Sequence, residues 1–107
     1  MSVNKVILLG YVGSDPEVRY PQKDHPMVFA TLATNEISGN SNTEVTEWHY
    51  LVFNGQNAVI AERYVRKGTH LYVEGKIRSR EYEDRMKIVR RRTEIIVERF
   101  EILGRKS

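Results

Sequence analysis

Between His70 and Tyr82 every second residue has a side chain able to grip a charged or flat ligand: His70, Tyr72, Glu74, Lys76, Arg78, Arg80 and Tyr82. Alternate side chains of a β-strand share a face. A strand here therefore presents two tyrosines and three cations in register, while Leu71, Val73, Gly75, Ile77 and Ser79 on the other face suit a barrel interior. A similar pattern occurs upstream, where Trp48 and Tyr50 share a face with Val52, and His49, Leu51 and Phe53 share the opposite one. Flat rings give nucleobases a stacking surface and cations follow phosphates, which is how single strands are held without reading their sequence. The segment Arg85–Arg92 adds five cations (Arg85, Lys87, Arg90, Arg91 and Arg92) and no acid. Such density is self-repelling unless an anion screens it. The candidate ligand-binding residues are thus Trp48, Tyr50, Tyr72, Lys76, Arg78, Arg80, Tyr82, Lys87, Arg90, Arg91 and Arg92. Trp48 needs a partner, either a base or a neighbouring subunit. Phe29, Leu51, Phe53 and Phe100 are expected in the core, and Tyr64 between helix and barrel.

Enzymatic readings find no support. His25, His49 and His70 lie in different elements without metal-ligand spacing, and cysteine is absent, which excludes disulfides, thiolate zinc sites and cysteine nucleophiles. Gly10 and Gly13 lack the Lys-Ser/Thr that completes a phosphate-binding loop. No enzyme activity and no cofactor or metal is expected.

The elements that must position these residues follow from turn signals. Val3–Val12 is an apolar strand ending at Gly13-Ser14-Asp15-Pro16. Val18–Tyr20 is a short extended piece, Met27–Asn35 a second strand, and Thr46–Phe53 a third. Apolar residues at helical spacing follow over Gln56–Lys67, closed by Arg66-Lys67-Gly68. Thr69–Arg80 is a fourth strand and Arg90–Leu103 a fifth, joined by the charged connection Glu81–Val89. This order, all-β with one helix between strands three and four, is that of the five-stranded Greek-key OB-fold barrel. The domain is expected over residues 1–104, with 105–107 as its C-terminal end.

The 107 residues suffice for one core. Residues 1–60 carry a net charge of −3 and residues 61–107 a net of +6, so the second half suits a polyanion. The start has no signal-peptide pattern, and no apolar run approaches the roughly 20 residues that span a bilayer. A cytoplasmic protein without a membrane partner is expected. The first strand is too apolar for an exposed edge. Its Val3, Lys5 and Ile7 are therefore expected in a subunit interface.

Several blocks, in order, resemble bacterial single-stranded DNA-binding proteins. They are Val3-Asn4-Lys5-Val6-Ile7-Leu8-Leu9-Gly10, Asp15-Pro16-Glu17-Val18-Arg19-Tyr20, Thr31-Leu32-Ala33-Thr34, Thr46-Glu47-Trp48-His49, Tyr64-Val65-Arg66-Lys67-Gly68 and Leu71–Arg78. The resemblance implies an OB-fold, usually a homotetramer built as a dimer of dimers, that wraps single-stranded DNA in replication, recombination and repair in the bacterial cytoplasm and nucleoid. By position, Trp48 and Tyr82 match stacking sites, Arg19, Lys67, Arg78 and Arg80 match positions near the DNA backbone, and His49 matches a subunit contact. There are departures. Ile37 and Ser38 stand where many members place a stacking tryptophan, and Asn54 where a stacking phenylalanine is common; Tyr82 replaces a frequent tryptophan, and Gln56 and Glu81 frequent lysines. The sequence ends at Gly104-Arg105-Lys106-Ser107 without the acidic, phenylalanine-terminated tail through which the family recruits replication and repair proteins, so tail-mediated contacts are not expected. Two other functions fit the same order of elements: a primosome-type OB accessory protein acting by protein contacts, and an RNA-binding OB domain.

Overall fold

The computed structural model describes residues 1–105. Among these lie six strands and one helix: β1 (Val6–Val12), β2 (Glu17–Gln22), β3 (His25–Ile37), β4 (Glu44–Phe53), α1 (Gly55–Tyr64), β5 (Thr69–Glu83) and β6 (Val89–Arg105). The strands run β1-β5-β6-β4-β3-β2, and a further pairing of β1 with β3 closes five of them into a barrel. β2 is a flap folded back on β3 through a tight turn in which Asp24 takes a positive φ of 66°. The helix therefore falls between the third and fourth barrel strands, and the OB-fold expectation holds. The expected C-terminal end, 105–107, lies outside the described residues from Lys106 onward.

Alternation builds the core. Val28, Ala30 and Leu32 of β3, Leu51 and Phe53 of β4, Leu71 and Val73 of β5, and Ile95 and Val97 of β6 all point inward and are buried. Burying each larger side chain is worth about 1.5–3 kcal/mol. One end of the barrel is covered by α1, which inserts only the small Ala58 and Ala61, followed by Val65. Asn57 of the same helix donates to the Val97 and Glu98 carbonyls at 3.3 and 3.2 Å. These belong to the bulge in β6, where the partner of Glu74 is Arg99 and that of Gly75 is Val97. The barrel closes over a short seam, Tyr11 with Ala33 and Val12 with Leu32. Gly10 makes the close approach possible, since a Cβ there would lie 2.1 Å from the Ala33 carbonyl oxygen.

Several boundaries differ from expectation, each for a physical reason. β1 begins at Val6 rather than Val3, because its ladder with β5 starts at Val6–Gly75. The helix stops at Tyr64 rather than Lys67. Val65 turns to extended backbone (ψ 127°), and the Arg66 guanidinium donates to the carbonyls of Glu62 and Val65 at 2.8 and 2.7 Å, occupying acceptors that a longer helix would use. Tyr64 is thereby left exposed rather than packed on the barrel. The connection expected over Glu81–Val89 shrinks to a five-residue tip, 84–88, as both strands extend. Ile77, expected inside, is half exposed. The β1 ladder ends at Gly75, so beyond it β5 pairs with β6 alone and the two strands leave the barrel as a projecting hairpin.

Candidate nucleic-acid interface

The outer face of β4 carries Trp48 and Tyr50, 52% and 42% exposed. The indole lies against the end of β1, where a Cβ on Gly13 would fall 2.2 Å from its Cζ3 atom. Glycine at this position is what lets the large ring lie flat on the barrel. Lys67 lines the hollow on the same side of the indole. It is held there by its backbone N–H, which donates to Asp15 Oδ1 at 2.9 Å.

The projecting hairpin brings its cations to these rings. The Arg92 guanidinium lies 4.7 Å from the Tyr50 ring centre and 5.3 Å from that of Tyr82, and Arg80 lies 5.9 Å from Tyr82. Both guanidinium groups meet at Glu94, whose carboxylate is almost wholly buried. Arg80 donates through Nε and Nη2 to both Glu94 oxygens at 3.0 Å, and Arg92 Nη2 donates to Oε2 at 3.3 Å. Burial alone would push the Glu94 carboxyl up. The hydrogen bonds and charges of Arg80 and Arg92 outweigh it and hold the carboxyl below its ordinary value. Arg92 Nε is buried with no hydrogen-bond partner among the described residues.

From this cluster a groove continues past Phe29 and Arg19 to Arg78. The Arg19 guanidinium lies 5.2 Å from the centre of the Phe29 ring and is held by Glu17 at 2.8 Å. Phe29 is thus on the binding side of the sheet and not in the core. The signal was present in the sequence, since β3 alternates and Val28, Ala30 and Leu32 occupy the inner face. Phe53 and Leu51 are core as expected, and Phe100 packs edge-on to Phe53 at 5.0 Å.

The structure brings together Trp48, Tyr50, Tyr82, Arg19, Arg78, Arg80 and Arg92 along one surface. Lys76 sits on the same face, opposite Ile96 of β6. Arg90, Arg91 and Lys87 belong to the outer part of the hairpin. Arg90 is bound by Asp84 at 2.9 Å and Arg91 by Glu81 at 3.4 Å. The Asp84 carboxylate also accepts the Ile88 and Met86 N–H groups, and these bonds together with Arg90 hold its carboxyl below the ordinary range. Tyr72 stands apart, beside Leu9 of β1, with its O–H donating to Glu74. Glu74 in turn receives Lys5 at 3.1 Å and Arg99 at 2.9 Å. Ile7, paired with Glu74, is exposed, as is Val3. His49 is half-buried, its Nε2 2.9 Å from Thr34 Oγ1. Among the described residues, no group of three or more His, Asp or Glu stands close enough to hold a metal ion, and no helix is long and apolar enough to cross a membrane.

A closed five-stranded barrel with rings and cations along one outer face is an oligonucleotide-binding module. A model of the Single-strand binding protein family matches residues 3–103, and the chain belongs to that family. The Single-stranded DNA-binding protein of Bacteroides thetaiotaomicron is 44% identical over an alignment that takes in 100% of this chain and 70% of the relative. Single-stranded DNA-binding protein 1 of Xylella fastidiosa is 39% identical, covering 99% of this chain and 81% of its own length. Among solved structures, a Plasmodium falciparum SSB in complex with ssDNA superposes with a TM-score of 0.81 at 30% identity, covering 99% of this chain and 97% of that one.

Proposed function

We propose that this protein binds single-stranded DNA without strong sequence preference and protects it during replication, recombination and repair in the cytoplasm. The observation that carries the reading is the continuous run of rings and cations from Trp48 through Tyr50, Tyr82 and Arg92 to Arg19 and Arg78. Bases stack on Trp48, Tyr50 and Tyr82, and phosphates run along Arg19, Lys67, Arg78 and Arg80. Family membership supports it, as do the relatives that are single-stranded DNA-binding proteins and the fold of a neighbour solved with ssDNA.

The protein assembles through β1. Beyond Tyr11 and Val12 this strand pairs with β5 alone, which leaves the other edge of Val6–Leu9 open. Ile7 and Leu9 are 61% and 51% exposed beside it. An open apolar edge invites pairing with another chain. Joining two edges gives a dimer, and pairing two such dimers gives a tetramer.

Trp48 is the sole tryptophan, so its fluorescence reads this face alone. Saturating oligo-dT should quench the emission, and Trp48→Ala should weaken binding by about 1–3 kcal/mol per base engaged. Oligo-dT should be preferred over duplex DNA and oligo-rU. Equal affinity for duplex, or unchanged emission at saturation, would refute the reading.

A further inference from the structure

We infer that Phe29, with Arg19 above it, forms an additional base-binding subsite in the middle of the groove; the inference rests on the proposed single-stranded DNA binding. Four observations converge on it.

Phe29 lies in a row with Val52 of β4, Ile96 of β6 and Lys76 of β5, joined by consecutive strand pairings. This row makes a partly apolar floor on the outside of the barrel, where an aromatic ring is wasted unless something flat covers it. The ring is also the wall shared by two adjoining hollows, one reaching Tyr50 and Arg92, the other reaching Arg78 and Asn54. A strand running from Tyr50 to Arg78 therefore has to cross Phe29. What now covers the ring is a guanidinium 5.2 Å from its centre, on a side chain 61% exposed and held by an equally exposed Glu17. Such a surface pair is weak. A planar guanidinium that stacks on a phenyl ring can as readily stack on the far side of a base or move to its phosphate. Finally, Arg78 and Arg80 line the same hollow and supply positive charge beside the floor.

The subsite takes one nucleobase of any identity, stacked on Phe29, with Arg19 on its outer face or its phosphate. It also bears on Asn54, which lines the same hollow and has no ring to offer. Phe29 supplies from β3 the ring that position 54 lacks.

The test uses the intact chain with oligo-dT bearing 5-iododeoxyuridine at single positions, irradiated and mapped by mass spectrometry. Crosslinks to Phe29 in addition to Trp48 are expected. Phe29→Leu keeps apolar volume on the floor and removes the ring, so it should melt like the parent and bind oligo-dT about tenfold more weakly. Crosslinks confined to other strands, or Phe29→Leu binding as tightly as the parent, would overturn the subsite while leaving the Trp48 face intact. Because the crosslink is read on the unaltered protein, a variant that fails to fold does not decide the matter. Failure of the parent itself to bind oligo-dT would sink the broader reading.

Discussion

Replacing Glu94 with glutamine removes the charge that Arg80 and Arg92 share while keeping a side chain of the same shape with one acceptor. The buried carboxylate receives three hydrogen bonds, two of them from Arg80 in forked geometry. Hydrogen bonds to a charged group are worth about 1.5–3 kcal/mol each. That figure must be discounted, because the Arg80 and Arg92 side chains are 42% and 32% exposed and regain water when the partner is lost. A net cost of about 1–2 kcal/mol is expected at neutral pH. For a domain of this size that lowers the melting temperature by about 4–8 °C.

DNA binding should move the other way at low salt. Two guanidinium groups now neutralised by Glu94 become available to phosphates. Each phosphate neutralised on a single strand contributes about −0.7 to the log–log salt slope. The slope for oligo-dT should therefore steepen by about 0.7–1.4. The pH dependence has a definite sign. The Glu94 carboxyl is held below its ordinary value, so its contribution to stability is full above about pH 4.3 and is lost as pH falls through the lower folded value. The parent should thus lose its advantage over Glu94→Gln in acid. Salt titrations by Trp48 fluorescence and melting at neutral and acid pH measure both effects. A variant with unchanged melting and unchanged slope would refute the proposed role of the carboxylate.

Gly13→Ala places a methyl group 2.2 Å from the indole and must displace it. Shifted Trp48 emission and weaker oligo-dT binding are expected, and emission identical to the parent would contradict the packing. Changing Arg90, Arg91 and Arg92 together to Ser should flatten the salt slope by less than the roughly 2 that three free cations would give. Each already has a carboxylate partner in Asp84, Glu81 or Glu94. Light scattering at micromolar concentration should find a dimer or tetramer, and Ile7→Lys should reduce it; a monomeric parent would count against assembly through β1.

Much of the site was legible because strands alternate. The β-period alone put Trp48 with Tyr50, and Arg78 with Arg80 and Tyr82, on shared faces. Turn residues and the helical spacing after Phe53 marked the order of elements. Other features depend on tertiary position, which no local pattern carries. The run Arg90-Arg91-Arg92 reads as three free charges, and only the fold brings Asp84, Glu81 and Glu94 to them. Ile77 has the parity of Leu71 and Val73, and its exposure follows from where β1 ends. Tyr72 shares parity with Tyr82, but five pairings along β5 separate the Glu74 cluster from the Arg92 cluster. Residue type places Phe29 in the core, although its parity points outward. Parity was the better guide.

The projecting hairpin also bears on how the molecule assembles in time. β5 and β6 are joined by a five-residue tip, so zipping them together requires closing a very short loop. The barrel is slower to complete. β1 must bring residues 6–11 to residues 70–75, and β4 must find β6 in parallel, Leu51 with Ile95, more than forty positions along the chain. Non-local pairings of this kind are what slows β-rich topologies. Arg78, Arg80, Tyr82, Arg92 and Glu94 all lie on the hairpin, whereas Trp48, Tyr50 and Phe29 lie on strands that join it late. The hairpin's share of the groove, Tyr82 included, can therefore be placed by local contacts, whereas Trp48, Tyr50, Phe29, Arg19 and Lys67 reach it only through the non-local pairings that close the barrel.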